Sequence, residues 1–202
     1  MTCFLYRQGE EGSIMNLYLR LIIVWLASYF KAGISDIATG SELAFRVLPN
    51  DLDTNFHMNN GRYLTLMDLG RLDLVLRTGL LRVMARRKCI PVLSAVKIRY
   101  RLPLALFQKY KLRTRVVCWD DKWVFMEQRF IIARGKKKGA TAAIALLKGG
   151  FYDRKNKCTV PTQDLIDIVG IDQTSPEFPE TITLWQQAED ALRARTSGES
   201  RI

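Results

Sequence analysis

Pro49–Tyr63 reads PNDLDTNFHMNNGRY. Two aspartates, four asparagines and the only histidine of the chain are concentrated there. Polar groups at that density are costly to order unless they bond to each other, to backbone or to a ligand. An expected strand, Glu42–Leu48, precedes the stretch, and an expected amphipathic helix, Arg62–Arg77, follows it. A strand-to-helix junction gathers orphan helix N–H groups, which favour an anion or a polarised carbonyl. The stretch is therefore the candidate site, and the rest of the chain reads as its scaffold.

The helix carries Tyr63, Leu64, Leu66, Met67, Leu69, Leu72, Leu74, Val75 and Leu76 at helical spacing, with a stop at Thr78–Gly79. That is more apolar surface than one face needs, and it predicts a helix cradled by a sheet. Leu80–Lys88 continues as a short helical piece with a basic end. From Cys89 the period changes to two, and strands are expected at Pro91–Arg101, Tyr110–Asp120, Lys122–Arg134 and Gly139–Phe151. Lys97, Arg99 and Arg101 share one face opposite Val96, Ile98 and Tyr100. Lys109, Lys111, Arg113 and Arg115 do the same opposite Tyr110, Leu112, Thr114 and Val116. Strands with one polar face are typical of antiparallel sheets. Strand, long helix, then antiparallel strands is the order of a single α+β domain.

Three segments are expected. Residues 1–40 hold a loose leader, Met1–Ser13, and an apolar helix, Asn16–Phe30, broken by Arg20. The uncharged run Leu21–Phe30 falls short of the roughly 20 apolar residues that a membrane span needs. Two main readings of 16–30 stay open, peripheral contact with a bilayer surface between Arg20 and Lys31 or packing on the domain or a second subunit, with a true span or a secretory signal as the lesser alternative. Residues 41–155 form the α+β domain. Residues 156–202 form a helical extension, with Thr162 capping a short helix over Gln163–Val169 and a terminal helix over Thr183–Arg195.

Lysine and arginine number 31 against 20 aspartates and glutamates, a formal charge of +11 that favours anionic partners. Nucleic acid is the weakest of these, because no recognised binding module accompanies the charge. No zinc finger, GxxxxGK[ST] loop or GxGxxG turn occurs. Cys3, Cys89, Cys118 and Cys158 form no CxxC pair and, with one histidine, no metal site is expected. Idle thiols in a reducing, cytoplasmic setting are the plain reading.

The string Asp51-Leu-Asp53-Thr-Asn55-Phe-His57-Met-Asn59-Asn60-Gly-Arg-Tyr63 resembles the DxDxxxHxNNxxY signature of hotdog-fold acyl thioesterases in the 4-hydroxybenzoyl-CoA thioesterase-like superfamily. Its DLDxNxHxNN portion is also similar to plant acyl-acyl carrier protein thioesterases. With FRVLPNDLD, HMNNGRYL and the hairpin at Trp119–Asp121, the nearest resemblance is to the thioesterase superfamily member 6-like group, over roughly Ala44–Gly150. The resemblance implies a long helix wrapped by a curved antiparallel sheet. It also implies a homodimer or dimer of dimers with active sites at the subunit interface. Asp53 falls on the catalytic carboxylate of the benzoyl-CoA type, and Asp53, Asn55 and His57 on the residues proposed for catalysis in the plant type. Asn60 and Tyr63 fall on positions that shape the helix start and pocket. Many relatives have glycine where this chain has Phe56, and a bulky ring there is expected to narrow the thioester slot.

These residue types suit thioester hydrolysis chemically. The reaction needs a base or nucleophile at the carbonyl and positive potential where the oxyanion forms. Asp53 either deprotonates water or attacks directly. Backbone N–H groups around Met58, Asn59 and Asn60 are the expected oxyanion donors, although Asn59 and Asn60 also read as structural caps. Asn55 and His57 would hold the water or loop, His57 doubling as proton carrier. Asp51 reads as a cap, and Asp68 as a reserve carboxylate near the substrate. Arg82, Arg86, Arg87 and Lys88 are candidates for the phosphates of coenzyme A, which enters only as part of an acyl-CoA substrate; an acyl carrier protein is the other donor. The rival function is a non-catalytic, membrane-associated acyl-CoA-binding or scaffold protein on the same fold.

Overall fold

A computed structural model describes the backbone of residues 2–199 and the side chains of residues 16–196. Helix α1 (Thr2–Phe30) leads into β1 (Ser41–Arg46), a 3-10 turn at Pro49–Asp51, the central helix α2 (Asn60–Arg77) and the short α3 (Leu80–Arg87). Strands β2 (Cys89–Tyr100), β3 (Lys109–Trp119), β4 (Val124–Ile132), β5 (Thr141–Asp153) and β6 (Cys158–Val160) follow, then α4 (Thr162–Val169) and α5 (Glu180–Glu199). All strand pairs are antiparallel, in the order β1-β3-β4-β5-β2, with β6 beside β5. Helix α2 lies against one face of this sheet, which is the hotdog arrangement.

Alternation along the strands sets which residues reach α2. Tyr110, Leu112, Phe130, Ala143, Ala145 and Leu147 bury against Tyr63, Leu66, Met67 and Leu69. The opposite face is covered near the β3–β4 hairpin by α5, where Cys118 and Phe125 meet Ile182 and Trp185. A register shift between Val116 and Cys118 turns the end of β3 toward that second face. Elsewhere the outer face is basic and largely solvated. Lys111 pairs with Glu42, and Glu127 bridges Arg115 and Arg129. Burial alone would raise the Glu127 carboxyl, but hydrogen bonds from Arg129 and Arg115 hold it below its ordinary range.

Two buried polar devices fix α2. At Gly70 the helix comes so close to the sheet that a Cβ would stand 2.4 Å from the Thr114 hydroxyl and 2.7 Å from Gln128 Nε2. Gln128, fully buried, donates to Met67 O at 2.9 Å and to Thr114 Oγ1 at 2.8 Å, and accepts from Arg71 at 3.1 Å. Ahead of the helix, Asp51 is also fully buried. Its Oδ2 accepts from Arg20 at 2.6 Å and from the Leu48 amide at 2.9 Å, and its Oδ1 accepts from Arg62 at 3.0 Å.

Helix α1 is held along one stripe. Leu17 packs on the core, Arg20 and Val24 are buried, and Lys31, just past the end of the helix, pairs with the buried Asp73 at 3.2 Å. Between residues 16 and 30, Tyr18, Leu19, Leu21, Ile22, Ile23, Trp25, Leu26, Tyr29 and Phe30 are exposed. No helix among the described residues is long and apolar enough to cross a membrane.

Several expectations need correction. Thr2–Ser13 is helical rather than a loose leader: the apolar segment seeds a helix whose extension adds one hydrogen bond per residue, offsetting the cost of Gly9 and Gly12. Met1 lies outside the described residues, and Cys3 outside the described side chains. Cys89 and Cys118 are buried free thiols, and Cys158 is an exposed one. Thr162 is the first helical residue of α4, not its cap, and Pro161 takes the cap position. Residues 156–202 also contribute to the sheet and core, through β6 and through Leu165, Ile166, Ile182 and Trp185.

Asp51→Ala leaves the guanidiniums of Arg20 and Arg62 buried without their carboxylate. A stability loss of about 3–5 kcal/mol is expected, read as a lower urea midpoint with an unchanged slope.

Candidate active site

The Asp51–Asn60 loop is organised by its own backbone. The Asp53 amide donates to His57 O at 2.8 Å, and the Phe56 amide to Asp53 O at 3.1 Å. Asp53 Oδ1 accepts from the amides of Asn55 (2.9 Å) and His57 (3.3 Å), an Asx turn that closes the loop tip. Its second carboxylate oxygen makes no hydrogen bond among the described residues, and the side chain is half-buried. One oxygen of Asp53 is thus architectural and the other is available. The side chains of Asn55 and His57 make no hydrogen bond to Asp53; both residues meet it through backbone amides only.

The loop backs onto residues 102–108. His57 forms a bridge with Ala105, and the Met58 amide donates to Leu104 O at 2.9 Å. The Asn59 amide donates to Asp51 O at 2.8 Å. Two of the three amides expected to face an oxyanion are therefore engaged by the protein itself. The Asn60 amide makes no hydrogen bond among the described residues, so the first residue of α2 offers its N–H with the positive end of the helix behind it. Asn59 caps the helix, its Oδ1 accepting from Gly61 N at 2.8 Å.

Tyr63 is buried, with edge contacts to Tyr100 (5.1 Å between centroids) and Phe130 (4.7 Å). Desolvation pushes its phenol up to about 12, and Tyr100 and Asp53 add to the effect. The Asp53 charge is thus felt at Tyr63. Tyr100 in turn donates to Asn60 O at 3.0 Å, tying β2 to the helix start.

Phe56 adopts a left-handed backbone (φ 58°), and the residue is 77% exposed. The expectation that it narrows the slot is not met within one chain, because the αL turn swings the side chain out into solvent. A glycine at this position would meet the same φ without steric cost.

Other expected residues stand apart from Asp53. Asp68 is two turns into α2, pairs with Arg71 and lines a separate cavity. Arg82, Arg86, Arg87 and Lys88 are exposed on or just after α3. The 18 residues of α2 extend about 27 Å, so these cations and Asp53 flank opposite ends of the helix in one chain. Sequence reasoning missed the Gln128–Arg71 pair. Its signal was a glutamine at an inward position between Met126 and Phe130.

The cavity, of about 410 Å³, is bounded by the C-terminal half of α2, by α3 and α4, and by β2 and β5. Its lining is nearly all aliphatic, with Asp68 and Arg71 as its charged pair. Burial pulls the Arg71 guanidinium below its ordinary range, and Asp68 opposes that shift.

The sheet wrapped around α2, with a polar loop at the helix start, defines a hotdog-class protein. The chain belongs to the thioesterase-like superfamily, whose sequence pattern matches residues 47–186. It is similar to Protein THEM6 of Danio rerio, 33% identical over 184 residues (89% of this chain, 87% of that one). It is also similar to Protein THEM6 of Xenopus laevis, 30% identical over 185 residues (92% and 86%). Among solved structures, the YbaW probable thioesterase of Escherichia coli superposes with a TM-score of 0.59 at 20% identity, covering 65% of this chain and 98% of its own.

Phe56→Gly is expected to raise stability by about 0.5–1 kcal/mol, since relief of the left-handed penalty exceeds the added chain entropy. Phe56→Val, β-branched at the same φ, should lower it. Thermal melts of both variants check the pair.

Proposed function

We propose that the protein hydrolyses an acyl thioester, carried by coenzyme A or an acyl carrier protein, to a free acid and a thiol. The observation that carries this reading is the half-engaged Asp53: one oxygen is anchored by two loop amides and the other is free, in the loop that leads into the open Asn60 N–H at the start of α2. Membership of a thioesterase-like superfamily supports it. In this reading Asp53 takes a proton from water as its oxygen adds to the acyl carbon. The carbonyl electrons move to an oxyanion facing Asn60 N–H, and collapse expels the thiolate, which is protonated from Asp53 or His57. Direct attack by Asp53, giving a mixed anhydride that water then opens, uses the same geometry.

A second copy belongs to the proposal. Among the described residues β2 pairs only with β5, so its outer edge presents unpaired backbone groups over Cys89–Tyr100. Pairing β2 with β2 of another copy joins two sheets and sets their α2 helices side by side. A homodimer of this kind places the active sites at the interface, and cations of α3 from one copy become available to a substrate held by the other.

The exposed apolar surface of α1 favours one further element, peripheral membrane contact through 16–30. With a formal charge of +11, anionic bilayers are the matching surface. The same feature underlies the rival, a non-catalytic acyl-binding scaffold at a membrane.

Asp53→Asn is expected to lower kcat for acyl-CoA hydrolysis by about 10²–10⁴-fold while native mass and melting stay near wild type. Unchanged turnover removes Asp53 from the mechanism, and tight acyl-CoA binding without thiol release by the wild type favours the scaffold. For the helix, Ile22→Glu with Leu26→Glu should reduce sedimentation with phosphatidylserine vesicles, whereas deletion would also strip Arg20 from Asp51. Equal pelleting of both forms ends the membrane reading.

A further inference from the structure

The ≈ 410 Å³ cavity falls in the range of about 300–1,000 Å³ usual for small-ligand pockets. Its two ends differ. Val92, Leu93 and the Asp68 side chain, at one side, are exposed, whereas Val116, Leu165, Ile166 and Ile171 deeper in are buried. The open rim therefore lies beside the free edge of β2 and the middle of α2, and the floor lies under α4. Asp68 is eight residues beyond Asn60, about 12 Å along the helix from the candidate loop.

The walls select among acyl groups. Leu72, Val75, Leu80, Met84, Met126 and Val169 offer branched and thioether surface, and Phe151 is the one aromatic ring in the lining. No pair of ring faces is available to sandwich an aryl group. Beyond the Asp68–Arg71 pair and two threonines, no polar side chain lines the interior to orient a substituted acyl group. Arg71 is itself engaged by Gln128 and Asp68, which leaves the chamber functionally apolar. Gly149, on the same face of β5 as Leu147 and Phe151, adds no side chain and keeps the space open.

We infer that this cavity receives the alkyl tail of a fatty acyl thioester, and that the α3–α4 wall fixes the length of tail accepted. This rests on the thioesterase reading of Asp53 and deepens it. The tail enters at the rim beside β2 with its thioester left toward the α2 starts, and α4, carried by the C-terminal segment, closes the far end. Val75 on α2 and Val169 on α4 are the specificity-determining side chains, because both are half-buried and line the chamber from different helices.

The test uses the full chain with Val75→Phe and, from the opposite wall, Val169→Phe, each checked for wild-type secondary structure and melting. Hydrolysis of dodecanoyl-CoA and butanoyl-CoA is compared, together with displacement of the fluorescent fatty acid cis-parinaric acid. The ratio of kcat/KM for dodecanoyl over butanoyl substrate is expected to fall at least about tenfold in each folded variant, and the probe to bind at least about tenfold more weakly. An unchanged ratio with unchanged probe binding in a folded variant overturns the inference and leaves thioester hydrolysis standing. If the wild type hydrolyses neither substrate, the functional reading fails, and probe binding that both variants weaken still supports the chamber. Wild-type protein that does not bind the probe at all overturns it.

Discussion

The carboxylate of Asp51 is the point on which the site hangs. It has no solvent contact, and three chain segments converge on it: Arg20 of α1, Arg62 of α2 and the Leu48 amide just after β1. A buried charge is tolerable only when its partners are also in place. The ion cluster therefore permits one relative placement of the two helices and the strand. The loop that carries Asp53 begins two residues later and returns to the same residue, because the Asn59 amide donates to Asp51 O. Asp53 inherits its position from Asp51.

Farther along α2 a second constraint acts through space rather than charge. Only a residue without a Cβ lets the helix approach Thr114 and Gln128 as Gly70 does, and Gln128 then satisfies the Met67 carbonyl from across the sheet. The helix is pinned at its start by an ion cluster and near its middle by an amide. The apolar chamber lies alongside and beyond the second pin, lined by α2, α3, α4 and the sheet.

What was legible in the sequence follows from which signals are local. The central helix and the four long strands announce themselves by spacing, and their observed bounds differ from expectation by only a few residues. The three residues of β6 are too few to show a period, and α1 hides its first half behind two glycines. Within the site, the loop was legible but the division of labour was not. Asp51 and Asp53 are the same residue type two positions apart. Only Arg20, far upstream, and Arg62, across the turn, make the first the buried anchor. Likewise nothing local says that the Met58 amide is taken by Leu104 O, since that contact needs residues 102–108 to fold back beside the loop. The α4 wall of the chamber depends on packing between segments separated by most of the chain.

Arg20 has a consequence for how the molecule meets its surroundings. The buried guanidinium of Arg20 acts as a key in a slot: the apolar stretch of α1 around it cannot roll about its own axis without pulling that group off Asp51 and through apolar side chains. Its outward flank, from Tyr18 to Phe30, therefore has a fixed azimuth relative to the body. A surface that met this flank would receive the rest of the protein at one set tilt, and the Asn16–Asn50 hydrogen bond ties the same helix to the turn just ahead of the Asp53 loop.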